Sequence, residues 1–184
     1  MFDKTFNIEI LGSSFSFTVV NAKNFYIDWG DGNTEFYTGS NPEHTYSKSG
    51  KYVIKMSGYC TELSFYNNSN LVSVITPIES VMAKHIVSFN QCFSRCSNLV
   101  FIPVGLFDNC INATNFYECF AYCVSLRGIP SGLFDKCPPN SDLSYCFFDG
   151  ISWIEFPYSP GRWYFNTNSN SFTYQAATEQ IDIM

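Results

Sequence analysis

Charge is scarce in this sequence. Asp, Glu, Lys and Arg together make up 14% of its 184 residues, and the formal net charge is −6. A surface with so few cations does not attract a phosphate backbone, so nucleic acid is not an expected partner. Histidine is scarcer still, with only His44 and His85 available for acid–base or metal chemistry. No apolar run approaches the roughly 18 residues that a bilayer-spanning helix needs, so membrane insertion is not expected either. The opening Met1-Phe2-Asp3-Lys4 lacks the basic start and apolar stretch of a signal peptide. The sequence also has no Gly-rich phosphate loop and no convincing pair of catalytic carboxylates.

What is present is apolar and aromatic. Hydrophobic residues reach 46%, enough for a sizeable core, and aromatics reach 18%, with 19 Phe and 12 Tyr. Eight cysteines would suggest disulfides in an exported domain and thiols in a reducing compartment; the missing signal favours thiols.

Residues 1–58 read as strands. Phe6, Ile8 and Ile10 alternate with polar neighbours, as do Phe15, Phe17 and Val19, and Tyr52, Ile54 and Met56. A period of two marks strands with one buried face. Gly12-Ser13-Ser14 reads as a turn between the first two runs, and Asp31-Gly32 is a dipeptide suited to a tight hairpin. A small antiparallel β-sandwich is the expected outcome. Within it, Tyr26-Ile27-Asp28-Trp29-Gly30-Asp31-Gly32, His44-Thr45-Tyr46 and Gly50-Lys51-Tyr52-Val53-Ile54 occur in an order that resembles PKD-type immunoglobulin-like domains. The resemblance covers roughly residues 5–58 and implies a spacer or interaction module.

From residue 88 the pattern changes. Phe89, Cys92, Phe93, Cys96, Leu99 and Ile102, followed by Pro103, Gly105, Leu106, Phe107, Asp108 and Cys110, recur 27 positions later. The second copy reads Phe116, Cys119, Phe120, Cys123, Leu126, Ile129, Pro130, Gly132, Leu133, Phe134, Asp135 and Cys137. Leu143, Cys146, Phe147, Trp153, Phe156 and Pro157 form an eroded third copy, and Phe65 with Ser69-Asn70-Leu71-Val72 an earlier one. A fixed period of this length signals a stacked array, because one repeat cannot bury its apolar face alone. Phe89, Cys92, Phe93 and Cys96 at i, i+3, i+4 and i+7 predict one stripe of a short helix, and Leu99–Ile102 a short strand ended by Pro103. The expected fold is therefore α+β and β-rich, with the sandwich followed over residues 59–157 by a solenoid of about four coils. Residues 158–184, aromatic and polar without a clear period, read as a C-terminal cap or interface.

The copies resemble the BspA-like branch of leucine-rich repeats over about residues 61–157. That resemblance implies binding without catalysis, in surface or secreted adhesion modules of bacteria and in related phage proteins.

Chemistry has to be weighed against packing. Cys92 with Cys96 and Cys119 with Cys123 could offer four thiolates to zinc, but Phe89 and Phe93 share their stripe and the third copy has Gly150 where a cysteine is needed. Buried thiols acting as small apolar groups are favoured, with disulfides the remaining alternative. No local signature joins a cysteine to His44 or His85 as a nucleophile pair. Asp28 and Asp31 lack the ligand ladder of a calcium loop and suit a turn better. No cofactor is expected, and the chain reads as a non-enzyme. Tyr117, Tyr122, Tyr158, Arg162, Trp163 and Tyr164 are the candidate contact residues, since Tyr and Trp give large contact area at low entropic cost. The favoured function is recognition or structure in a phage virion, as a capsid or tail decoration that binds a host surface. A bacterial cell-surface or secreted adhesin is the alternative, and a thiol or metal-dependent enzyme is disfavoured. Partners are other protein chains of the assembly and a host-surface protein or glycan.

Overall fold

The alternating runs of the first half place every second side chain on one face, and Phe6, Ile8, Ile10, Phe15, Phe17, Val19, Ile54 and Met56 are buried there. The computed structural model describes residues 4–150, 163–166 and 171–174, the last two stretches as backbone only. Strands β1 (Phe6–Ser16), β2 (Thr18–Val20), β3 (Lys23–Asp28), β4 (Thr34–Tyr37) and β5 (Glu43–Tyr59) are followed by β6 (Glu62–Ser64) and β7 (Leu71–Val74). A single turn of helix, α1 (Ser80–Ala83), comes next, and a hairpin of β8 (Trp163–Asn166) and β9 (Ser171–Tyr174) lies near the end. The architecture is thus β-rich with almost no helix. Five strands form an antiparallel sheet in the order β4-β3-β5-β1-β7, and β2 pairs with β6 separately.

Gly12-Ser13-Ser14 is not a turn between two strands. It lies within β1, which pairs with β5 on both sides of a register shift between Gly12 and Ser14. The extra residues at this bulge belong to β5, between Gly50 and Thr45, so β1 continues past it without reversing. Asp31-Gly32 sits in the β3–β4 hairpin, where Gly30 and Gly32 take φ of 83° and 97°.

The expected helix at Phe89–Cys96 is replaced by two consecutive tight turns. The N–H of Cys92 donates to the carbonyl of Phe89 and that of Cys96 to Phe93, while Gln91 and Arg95 take φ of 52° and 61°. A positive φ at the third residue of an i→i+3 turn marks type II geometry. The same pair of turns recurs with Glu118 and Tyr122, and again with Tyr145 and Asp149, at positive φ. Left-handed backbone at a non-glycine residue costs about 1–2 kcal/mol. Hydrogen bonds between copies offset that cost. The N–H groups of Phe89, Gln91, Phe93 and Arg95 donate to the carbonyls of Asn115, Tyr117, Cys119 and Ala121, and those of Phe116, Glu118, Phe120 and Tyr122 to Asp142, Ser144, Cys146 and Phe148. A helix would consume all these donors internally; tandem turns release alternate ones to the next copy. Tandem four-residue turns and a helix leave the same apolar spacing in sequence.

Leu99–Ile102 likewise forms no full strand. It makes one parallel bridge, Ser73 to Phe101, and the N–H of Val100 donates to Val72 of β7.

The core is continuous from the sheet into the repeats, and Phe65 joins the two. Its ring lies 5.5 Å from Phe17 on one side and 5.5 Å from Phe93 on the other. From Phe93 the column continues to Phe120 at 5.0 Å and to Phe147 at 5.2 Å, with rings within 8° of parallel at each step.

Candidate functional site

The residue at positive φ in each turn is at least partly exposed, at Gln91, Arg95, Glu118, Tyr122 and Tyr145, whereas the preceding Ser94 and Ala121 are buried and their counterpart Phe148 is exposed; the outward side chains build a strip across the copies. The Arg95 guanidinium lies 4.5 Å from the Tyr122 ring centroid, within cation–π reach. Tyr122 meets Phe148 edge-on at 5.6 Å, Phe148 meets Tyr145 at 5.7 Å, and Tyr145 meets Tyr117 at 5.8 Å. Tyr145 is 45% exposed and Phe148 36%. Beneath them the Gln91 amide donates to Glu118 Oε2 at 2.8 Å. The Glu118 carboxylate, accepting from the Tyr117 hydroxyl, raises that phenol above its ordinary pKa. The strip therefore combines apolar ring surface with one cation and one carboxylate.

Of the six candidate contact residues, Tyr117 and Tyr122 lie in this strip. Tyr158 and Arg162 fall outside the described residues, and Trp163 and Tyr164 belong to β8, whose side chains are not described. Arg95, Gln91, Glu118, Tyr145 and Phe148 were not singled out from the sequence. The usable signal was the register itself: adding 27 to Glu118 and Ala121 places Tyr145 and Phe148 at turn corners, where the eroded copy substitutes aromatics.

Phe89, Cys92, Phe93, Cys96, Leu99, Ile102, Phe116, Cys119, Phe120, Cys123, Leu126 and Ile129 are all buried. All eight cysteines are free and buried. Burial pushes the thiols of Cys60, Cys96 and Cys137 up to about 12 and those of Cys92, Cys119 and Cys123 well above the ordinary value. Such thiols stay protonated, whereas nucleophiles and metal ligands must be thiolates. Cys96 and Cys123 use their S–H to donate to the carbonyls of Phe65 and Phe93, at 3.1 and 3.0 Å. Among the described residues, no three His, Cys, Asp or Glu side chains converge as a metal group would require.

The histidines are engaged elsewhere. His44 Nε2 lies 2.8 Å from Asp31 Oδ2, its ring stacks on Trp29 at 5.0 Å and meets Tyr46 edge-on at 4.7 Å. His85 packs on Tyr59. Asp28 Oδ1 accepts the N–H of Gly30 and Asp31 Oδ1 that of Asn33, so both carboxylates fasten the hairpin loop. Burial pushes the Asp31 carboxyl up, but hydrogen bonds from His44 and Asn33 outweigh it and hold it at about 2.

No family model, curated protein or solved structure matches the chain. Among the described residues, no helix is long and apolar enough to cross a membrane.

Proposed function

We propose that this chain is a non-enzymatic recognition module of a phage virion, a capsid or tail decoration whose repeats display a contact surface to the host. In this reading the N-terminal strands form a PKD-like sandwich that docks the protein, and the 27-residue copies form a short BspA-like solenoid. The hydrogen-bonded register between copies and the column of stacked Phe rings support the solenoid.

The observation that carries the functional reading is the strip of Tyr117, Tyr122, Tyr145 and Phe148 beside Arg95, in which Tyr145 and Phe148 are exposed and the other two rings partly so. Tyr and Arg are the residues that dominate the energetics of protein contacts. The thiols and imidazoles that could run chemistry are meanwhile committed to packing or to hairpin bonds. Mass spectrometry of purified particles tests the virion reading: the protein is expected as a stoichiometric component. Its absence from particles together with free protein in host cytoplasm would overturn the reading, and its recovery from the bacterial surface would favour the adhesin.

A further inference from the structure

A second feature lies away from the aromatic strip, where the sheet meets the first copy. The end of β1 and the turn between β6 and β7 enclose a cleft of about 240 Å³. Ser14 and Ser16 form one wall, and Tyr66, Asn67, Ser69 and Asn70 the other. None of its lining residues carries a charge.

The walls are tied together from behind. Asn68 Nδ2 donates to the Ser16 carbonyl at 2.8 Å and Asn70 Nδ2 to the Ser14 carbonyl at 2.9 Å. The N–H of Asn67 donates to Ser94, and Asn98 Nδ2 to the Ser69 carbonyl, which anchors the turn on the next copy. Gly12 leaves room for this approach, since a Cβ there would lie 2.7 Å from Asn70 Nδ2. The cleft is thus held open by bonds that use the amides of Asn68 and Asn70 as struts.

What the struts leave over is polar and unengaged. Among the described residues, the hydroxyls of Ser14, Ser16 and Ser69, the Asn67 amide and Oδ1 of Asn70 make no hydrogen bond. Together they offer both donors and acceptors within one small cleft. Tyr66, 50% exposed, is the one half-exposed aromatic among the lining residues.

We infer that this cleft binds one ring of a neutral saccharide. A pyranose presents an apolar C–H face that packs on an aromatic ring and a rim of hydroxyls that each donate and accept. The absence of charge disfavours phosphorylated, sulfated or sialylated sugars, which would lose hydration with no cation to replace it. The inference rests on the recognition reading of the chain but not on the aromatic strip.

The test is saturation-transfer NMR and calorimetry on the full chain. The probes are neutral oligomers of glucose, galactose, mannose and N-acetylglucosamine, with sialylated and sulfated oligosaccharides as the acidic arm. At least one neutral oligomer is expected to bind, with Tyr66→Ala and Asn67→Gly each weakening it about tenfold or more. Asn67→Gly suits the left-handed backbone at that position, φ 57°, so the fold is retained, which an unchanged melting temperature verifies. No binding of any neutral probe, preference for the acidic arm, or full affinity in Tyr66→Ala would each overturn the proposal. Failure here with host-surface binding still dependent on Tyr145 and Phe148 would leave the recognition reading standing.

Discussion

The rings of Phe93 and Phe120 lie 5.0 Å apart and within 2° of parallel, although 27 residues separate them in sequence. That spacing is close to the distance between neighbouring strands, so the aromatic column and the backbone bonds between copies share one rise. Cutting the column in its middle should be costly. Phe120→Ala is expected to destabilise the protein by about 3–5 kcal/mol, the usual range for removing a buried ring. Tyr145→Ala, at an exposed turn corner, should cost much less. Chemical denaturation of the two variants checks the contrast, and equal effects would show that the column carries no special load.

Ser94 offers the opposite case. It is fully buried and, among the described residues, its hydroxyl has no hydrogen-bond partner, whereas the equivalent position in the next copy is the buried Ala121. Removing a buried unsatisfied hydroxyl while keeping the shape relieves a desolvation cost, so Ser94→Ala should stabilise by about 1 kcal/mol. A loss of stability in the same denaturation assay would mean that Ser94 has a partner the packing does not reveal.

These two sites mark what the sequence made legible. The strands around Phe6, Ile8, Ile10, Ile54 and Met56 follow from period-two alternation, which has few competing readings. The Phe89-Cys92-Phe93-Cys96 stripe identified buried positions but not backbone geometry, because tandem type II turns and a helix give the same apolar spacing. The deciding groups were the N–H donors of alternate residues, and a sequence does not show where a backbone donor points. The strip around Tyr145 and Phe148 was hidden for a related reason: the third copy looked degraded, while its departures are outward-facing aromatics.

Asp31 predicts a pH dependence. A carboxyl held below its ordinary value stabilises the fold while ionised and stops doing so once protonated. Its contribution should be intact above its ordinary value of 3.8 and lost as pH falls from there through about 2. Asp31→Asn should therefore be less stable than the parent at neutral pH, with the gap narrowing at acid pH in parallel urea melts. A gap that stays constant with pH would place the effect elsewhere.

Buried thiols predict silence toward alkylation. With iodoacetamide at about pH 8, none of the eight cysteines should react in the native protein and all should react after denaturation. Rapid labelling of a single cysteine would reopen a thiol chemistry that the packing argues against.

The central claim is that function resides in the displayed ring strip. Its most direct test is binding of the purified full chain to intact host-cell envelopes, compared with a Tyr145→Ser, Phe148→Ser double variant of unchanged melting temperature. The account predicts saturable binding by the parent and at least about tenfold weaker binding by the variant. Equal binding by the two proteins, or no binding by the parent, would contradict it.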